Sequence, residues 1–436
     1  MAKSASKKNS QTSKGPAWKT NWPKNGDLRA WFRCCLEKCD AIKDIGDATE
    51  WVNLPIGGLA EVGHTAEALR YVDQWLKRIP PKETVEYVSM AELGAKICLE
   101  MGDLKRMEKY LALVAATEKF NKRKCDIGYS LNAVRNFRAF HGILDPAEAI
   151  DEEQRLEAQF NGAWRRSREL QKQGKLAEAR AAAAEMEQFA RQTKENWRRK
   201  HRFTAALVQH AALGDAGAVA RTIKSLPKAE RAEVLNYNTL QRIGMKTEAV
   251  AAAIRKAKSE LAELEQMEDP NIHFPCGAIS RALLFLIENG HKDEAQKLYS
   301  KVSRSAKTWP TTFGFSASAV LTMFAEVAAA LEGPAAAKGL LAQAEQHAAG
   351  ERHRGFRSGA TAAAIEMQAQ VSGVEEAIAR AQKIRSGTER RSELAKLYAK
   401  AQRWSDLRAV CQHVTSPVEA AELSWWVKFE LPGGEV

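Results

Sequence analysis

The chain has 436 residues, 45% hydrophobic and 28% charged, with a formal net charge of +12. That much apolar mass builds a large core and excludes a collagen, a coiled coil, a disulfide scaffold and a wholly disordered chain. The length suits two or three ordinary domains or one continuous helical array.

Residues 1–26 hold six Lys and no acidic residue, so half of the net charge sits in the first segment. Ser, Lys, Asn and Gln dominate as far as Gly15, and no core can form there. A disordered basic tail is expected, with Trp18 and Trp22 placed to dock its distal end on the body. A polycation of this kind finds nucleic acid or acidic protein by long-range attraction, while a merely solubilising tail is the simpler reading. No apolar stretch follows Met1, which argues against a secretory signal. The absence of Arg and of an amphipathic period in the same segment argues against a matrix-type transit peptide.

Further along, Cys34, Cys35 and Cys39 are adjacent enough to suggest a thiolate metal site. No second ligand set follows at zinc spacing, and neighbouring helical residues point about 100° apart, so structural thiols are expected. His273 with Cys276 and Cys411 with His413 are single pairs with no more support. His347 and His353 flank a Gly-containing turn and read as a solvated loop. Seven scattered Cys fit a reduced compartment, and a cytoplasmic location is expected. The longest apolar stretch, near Ala317–Leu331, is interrupted by Glu326 and is shorter than the roughly 20 residues of a membrane span, so it reads as a buried helix.

One pattern recurs along the chain: Gly, three residues, Glu, Ala. It runs from Gly63 to Ala68, from Gly174 to Ala179, from Gly244 to Ala249 and from Gly290 to Ala295. The intervals of 111, 70 and 46 residues are close to three, two and one units of about 35 to 45 residues. Degenerate copies at Gly102, Gly142, Gly214, Gly333 and Gly373 fill the gaps, and Gln402 stands in a last copy without its Gly. The physics is that of a helix–turn–helix hairpin. Gly in the left-handed conformation closes the first helix, an acidic residue favours the positive start of the second, and Ala lets the neighbouring helix approach. Apolar residues after each Gly keep a helical period, as in Leu69, Val72, Leu76 and Ile79. All thirteen Pro are expected at termini, turns or tails. No alternating β-branched run is bounded by turn signals, so essentially no sheet is expected.

These junctions resemble the middle of a tetratricopeptide repeat (TPR), where one helix ends and its partner begins. Ala68, Ala179, Ala249 and Ala295 match the small residue of that family's second helix, and Tyr299 and Val302 match its following packing positions. Leu283 and Ser167 stand where the family has a Gly in the first helix. The expectation is an all-α, right-handed α-solenoid of about ten helix–turn–helix repeats over residues 27–430, with 431–436 a short flexible C-terminus. The Trp425–Trp426 pair, with Val427 and Phe429, suits a cap on the last pair or a docking patch.

No phosphate-binding loop, nucleophile elbow or metalloprotease helix is present, and the acidic run Asp151, Glu152 and Glu153 suits an exposed helix start. No enzymatic activity, cofactor or metal is expected. The candidate partner-binding residues are two triplets, Trp164-Arg165-Arg166 and Trp197-Arg198-Arg199. Their distances to the following turn Gly differ by seven residues, two helical turns, so both present similar faces of adjacent units. Arg168, Lys200, Arg202 and the run Lys119, Lys122, Arg123 and Lys124 extend the stripe. Arg neutralises phosphates and Trp stacks on bases; equally, Trp packs between helices while its Arg neighbours are solvated. The resemblance implies a protein-interaction scaffold with a protein or acidic-peptide partner, and RNA or single-stranded nucleic acid is the alternative.

Overall fold

The computed structural model describes residues 22–42, 44–120, 129–266, 273–305, 314–414, 419–420 and 422–423. Among these residues there are 21 α-helices and no strand, as the periodicity predicts. Consecutive helices pack as pairs. The chain divides into two compact units, one built from residues 1–110 and 374–436, the other from residues 111–373.

The first unit starts with α1 (Leu28–Cys39), followed by α2 (Ile45–Glu61), α3 (Thr65–Arg78) and α4 (Thr84–Met101), then α5 (Leu104–Ala116), whose last residues pass into the second unit. It is completed by the far end of the chain, α19 (Val374–Ala381), α20 (Gly387–Lys400) and α21 (Trp404–Cys411). Aromatic packing joins the two ends. Trp22 and Trp31 are buried with ring centroids 5.4 Å apart, and Trp31 lies 6.3 Å from Trp404. Trp31 donates its indole N–H to the Asn25 carbonyl at 2.9 Å. Gly26 lies flat on the Trp404 ring, where a Cβ would come within 2.8 Å of ring carbon. Open helical arrays protect their terminal units with polar outer faces; here the terminal helices cover apolar surface on each other. The Trp425–Trp426 segment lies outside the described residues, as do Trp18 and most of the basic tail.

The second unit contains α6 (Tyr129–Phe140), α7 (Glu152–Lys172), α8 (Leu176–Gln192), α9 (Asn196–Ala212) and α10 (Ala216–Ser225). It continues through the short α11 (Arg231–Val234) and α12 (Tyr237–Arg242), α13 (Lys246–Leu264), α14 (His273–Glu288) and α15 (Lys292–Ser305). The last three are α16 (Gly314–Glu332), α17 (Pro334–Gly350) and α18 (Arg354–Ser372). One apolar core runs from Phe203 through Leu261 and Leu283 to Val327.

The repeat turns form where the spacing places them. All nine turn glycines take positive φ, and Gln402, in the copy that lacks Gly, is the one non-Gly residue among the described ones that does so, at φ 54°. At Gly174 the Lys175 amide donates to the Leu170 carbonyl at 2.9 Å, closing α7 with a paired-carbonyl cap. At Gln402 the Arg403 amide reaches Tyr398 at 2.8 Å in the same pattern. Ala68, Ala179, Ala249 and Ala295 are all fully buried, as close helix approach requires. Ser167, standing where the family has Gly, is also buried. Its hydroxyl donates to the Ala179 carbonyl at 2.9 Å and accepts from Gln209 at 3.0 Å, so a polar side chain links α7 to α8 and α9.

Two local expectations are corrected. Pro55 lies inside α2 rather than at a terminus, leaving the carbonyl four residues earlier without its usual donor. Further along the same helix, the Phe32 ring of α1 packs over Gly58, where a Cβ would lie 2.6 Å away. His347 is within the last turn of α17 rather than in a loop, because the helix continues to Gly350.

Candidate partner-binding face

The two triplets fall on the first helices of neighbouring pairs. Asp151 starts α7 by accepting the Gln154 amide at 2.8 Å, and Gly174 ends the helix, which fixes Trp164 in its middle. Trp197 is the second residue of α9. Relative to the turn glycines, Trp197 stands seven residues earlier than Trp164, about 10 Å nearer the helix start on an equivalent face. Trp164 is 40% exposed and Trp197 is 61% exposed. A guanidinium lies over each ring: Arg168 at 5.7 Å from Trp164, and Arg198 at 5.2 Å from Trp197.

The arginines of the triplets are engaged with carboxylates. Arg165 pairs with Glu169 at 3.0 Å, one turn on, and Arg166 crosses to Glu185 of α8. Arg198 lies 3.3 Å from Glu153 of α7 and 3.0 Å from Glu195. Arg199 grips Glu230 with Nε at 3.0 Å and donates to the Thr193 and Lys194 carbonyls at 3.0 and 3.1 Å. The hydrogen bond to Glu230 pushes the Arg199 pKa up. Glu230 is buried, so this pair fixes the segment after α10 to the start of α9. Of the extending residues, Arg202 is buried, 2.8 Å from Glu153, Lys200 pairs with Glu233, and Lys119 lies over Phe120 at 5.0 Å. Lys122, Arg123 and Lys124 lie outside the described residues.

Glu153 therefore holds two guanidiniums beside a polar cavity of about 260 Å³ between α6, α7 and α9, lined by Asn132, Asn136, Asp151, Gln154 and Arg198. Gln154 donates to Asn136 at 2.8 Å, so the lining groups largely satisfy one another. A second cavity of about 490 Å³, bordered by Ala211, Val219, Ile223, Ile243 and Met245, is almost wholly apolar. Between α8, α9 and α10, Glu187 accepts from Thr222 at 2.6 Å, pairs with Arg191, and lies 3.6 Å from the buried His210 ring. Burial raises its pKa most strongly, but these three partners together outweigh it and hold the carboxyl down at about 2.

The six thiols among the described residues are core groups. Cys34 and Cys39 are buried in α1, and burial pushes them up to about 11 and about 12. Burial likewise pushes Cys276 up to about 12. Among the described residues no three His, Cys, Asp or Glu side chains converge on a metal-sized site, and no helix is long and apolar enough to cross a membrane.

Glu153, read from the sequence as part of an exposed helix start, is instead half-buried between Arg198 and Arg202, and sequence reasoning missed Glu187 and Glu230, whose partners are on other segments. It also missed Phe274 and Phe356, 69% and 53% exposed. Their signal was present: each stands 16 or 17 residues before its turn Gly, the place Trp197 holds before Gly214.

No protein-family model matches the chain, and no curated protein matches it. Among solved structures, the crystal structure of yeast Tom70 aligns over 92% of this chain and 91% of its own, with 14% identity and a TM-score of 0.23.

Proposed function

We propose that this chain is a non-enzymatic interaction scaffold that holds a partner protein or acidic peptide against successive first helices. The observation that carries this reading is the pairing at the two triplets: their rings are exposed while their guanidiniums are held by carboxylates. An exposed Trp under a guanidinium is a rigid apolar anchor of the kind that dominates protein interfaces. A phosphate-binding ridge needs uncommitted cations, and Arg166 and Arg199 already bridge elements of the fold. The proposal takes residues 27–430 as the helical array, residues 1–26 as a basic tail, 431–436 as a flexible end, and the cytoplasm as the setting.

The second reading, RNA or single-stranded nucleic acid, is favoured by the same exposed rings together with the +12 charge and the Lys-rich tail. One experiment separates them. Full-length protein, a form lacking residues 1–26, and Trp164→Ala/Trp197→Ala are cross-linked in native lysate, and each is titrated with labelled single-stranded RNA at low and high salt. A stoichiometric protein partner lost with the two Trp, and RNA binding absent or removed with the tail, is the expected result. Salt-sensitive RNA binding that survives tail removal and requires the Trp pair moves the assignment to nucleic acid.

A further inference from the structure

Three second helices of the second unit are closed over by the first helix that follows: α8 packs on α9, α13 on α14 and α17 on α18. Ala179 and Ala183 share an apolar cluster with Leu213, the residue before Gly214. Ala337 and Leu341 share one with Met367 and Val371, just before Gly373. α10 has no comparable packing on α12 or α13. The sequence explains the gap. Leu226 precedes Pro227, which biases it to extended backbone, and α10 stops at Ser225. Asn236 restarts the helix by accepting the Thr239 amide at 3.1 Å, so α12 has six residues, where α7, α9, α14, α16 and α18 have 16 to 21. α11 and α12 both lie against α9, and one stripe of α10 is left uncovered.

That stripe borders the apolar cavity of about 490 Å³. Ala216, Val219, Ala220 and Ile223 line it from α10 at the spacing of one helix face, and Ile243 and Met245 line it from the turn around Gly244. Val219 and Ile223 stand five and nine residues after Gly214, the places that Ala179 and Ala183 hold after Gly174. Ile243 stands before Gly244 as Leu213 does before Gly214. The positions that close the earlier step therefore line a space at this one, and no residue of α12 borders it. Val219 and Ile243 are buried, while Ala216 and Ala220 are exposed at the rim. The volume falls within the roughly 300–1,000 Å³ of ligand sites. Every side chain around it is apolar, so water there makes few hydrogen bonds and an apolar group displaces it favourably.

The residues around the cleft are predominantly basic. Lys224, Arg242 and Lys246 each adjoin a lining residue in the chain, are exposed, and make no ion pair among the described residues. Lys224 is about 100° round the helix from Ile223, on the flank of the stripe. Of the nearby acids, Asp215 turns its carboxylate to the Ala218 amide at 2.9 Å, and Glu248 lies two residues past Lys246. The neighbouring repeats indicate the shape of the missing cover. Over the equivalent stripe of α17 it is a helix that brings Met367 and Val371, four residues apart. A partner helix with that spacing fits the stripe of α10, and acidic residues on its flanks meet the free cations.

We infer that the cleft between α10 and the Gly244 turn docks a short acidic amphipathic helix of a partner protein, which inserts apolar side chains four residues apart. The cleft adds a second contact to the scaffold reading and rests on it for a protein partner, and the test lets the two fail separately. Full-length protein is titrated with a fluorescein-labelled peptide of about sixteen residues, long enough to form a helix by itself. It is built from Glu and Ala, with Leu three and four residues apart on one face. The comparison probes are a peptide of the same composition with its Leu dispersed round the helix, a peptide with Lys in place of Glu, and decanoate. Ala220→Phe fills the rim of the cleft. Lys246→Glu reverses one charge at a helix start that favours acid, and it keeps the test if the larger side chain disturbs the fold. Circular dichroism and a thermal melt establish which variants stay folded.

The expected result is saturable binding of the one-faced acidic peptide alone. Ala220→Phe should weaken it about tenfold, Lys246→Glu several-fold, and Trp164→Ala not at all. Equal binding of either comparison peptide, or indifference to both cleft substitutions, overturns the inference. Decanoate binding that Ala220→Phe removes, with no peptide binding, also overturns it, in favour of a small-molecule pocket. If the acidic peptide fails while a cross-linked partner still depends on Trp164 and Trp197, the cleft falls and the scaffold stands. If the peptide binds as expected while no partner depends on the Trp pair, the cleft stands and the Trp face falls.

Discussion

The ring of Trp31, in the first helix, lies 6.3 Å from the ring of Trp404, at the start of the last helix described. Residues more than 370 positions apart therefore share one apolar contact. Trp31 is 2% exposed, and replacing it with Ala is expected to cost about 3–5 kcal/mol through lost burial and the cavity left behind. The loss will be felt at both ends of the chain. Hydrogen exchange should show protection falling together in 28–39 and 404–411, while α13 keeps its own. Loss confined to the first segment would mean that the two ends are not energetically coupled.

Gln402 turns left-handed with a side chain where other repeat junctions, such as Gly102 and Gly174, use glycine. A non-Gly residue in the left-handed region costs roughly 1–2 kcal/mol, and Gln402→Gly is expected to recover about 1 kcal/mol of it, less the added freedom of the unfolded chain. Gly174→Ala should lose a similar amount although nothing lies within 4 Å of the added Cβ, because its φ of +73° is the obstacle. Urea denaturation of the two variants should give midpoints displaced in opposite directions.

The arginines of the two triplets differ in what they hold. Arg165 and Glu169 are both well exposed, and such a pair contributes about 0–1 kcal/mol. Arg199 satisfies the buried Glu230, so Arg199→Ala strands a carboxylate and should cost about 3 kcal/mol. Thermal unfolding of the single variants provides the measurement. Equal losses would contradict the assignment of Arg199 to the fold.

Glu187 makes stability depend on acid. Its carboxyl is held at about 2 by His210, Thr222 and Arg191, below the ordinary value of 4.5. A depressed carboxylate stabilises the fold above its unfolded value and loses that contribution as pH falls toward its folded one. The wild type should therefore lose stability between about pH 4.5 and 2 more steeply than Glu187→Gln, which is expected to be the weaker protein at pH 7. Parallel urea midpoints across that window would remove Glu187 from the account.

Much of the local structure was legible because each repeat announces itself within a few residues. A Gly that can turn left-handed, an acidic helix start and an Ala one turn in are local requirements, and they placed the turns at Gly63, Gly174, Gly244 and Gly290 and even at Gln402. Pro55 escaped because a proline inside a helix persists where the packing of the whole helix outweighs one lost hydrogen bond, and no local pattern records that balance. The two Trp-Arg-Arg triplets were visible as composition. Whether their charge was available was not, because Glu185, Glu153 and Glu230 reach them from other segments.

The sequence alone determined an all-helical chain of repeated hairpins, since period, capping and turn chemistry act over one or two helical turns. Tertiary structure decided that Trp22, Trp31 and Trp404 meet, that Arg199 is committed while Trp197 beside it is exposed, and that Phe274 and Phe356 stay exposed in the first turns of their helices. Those outcomes depend on which surfaces are covered by residues distant in the chain, and a local pattern carries no record of that pairing.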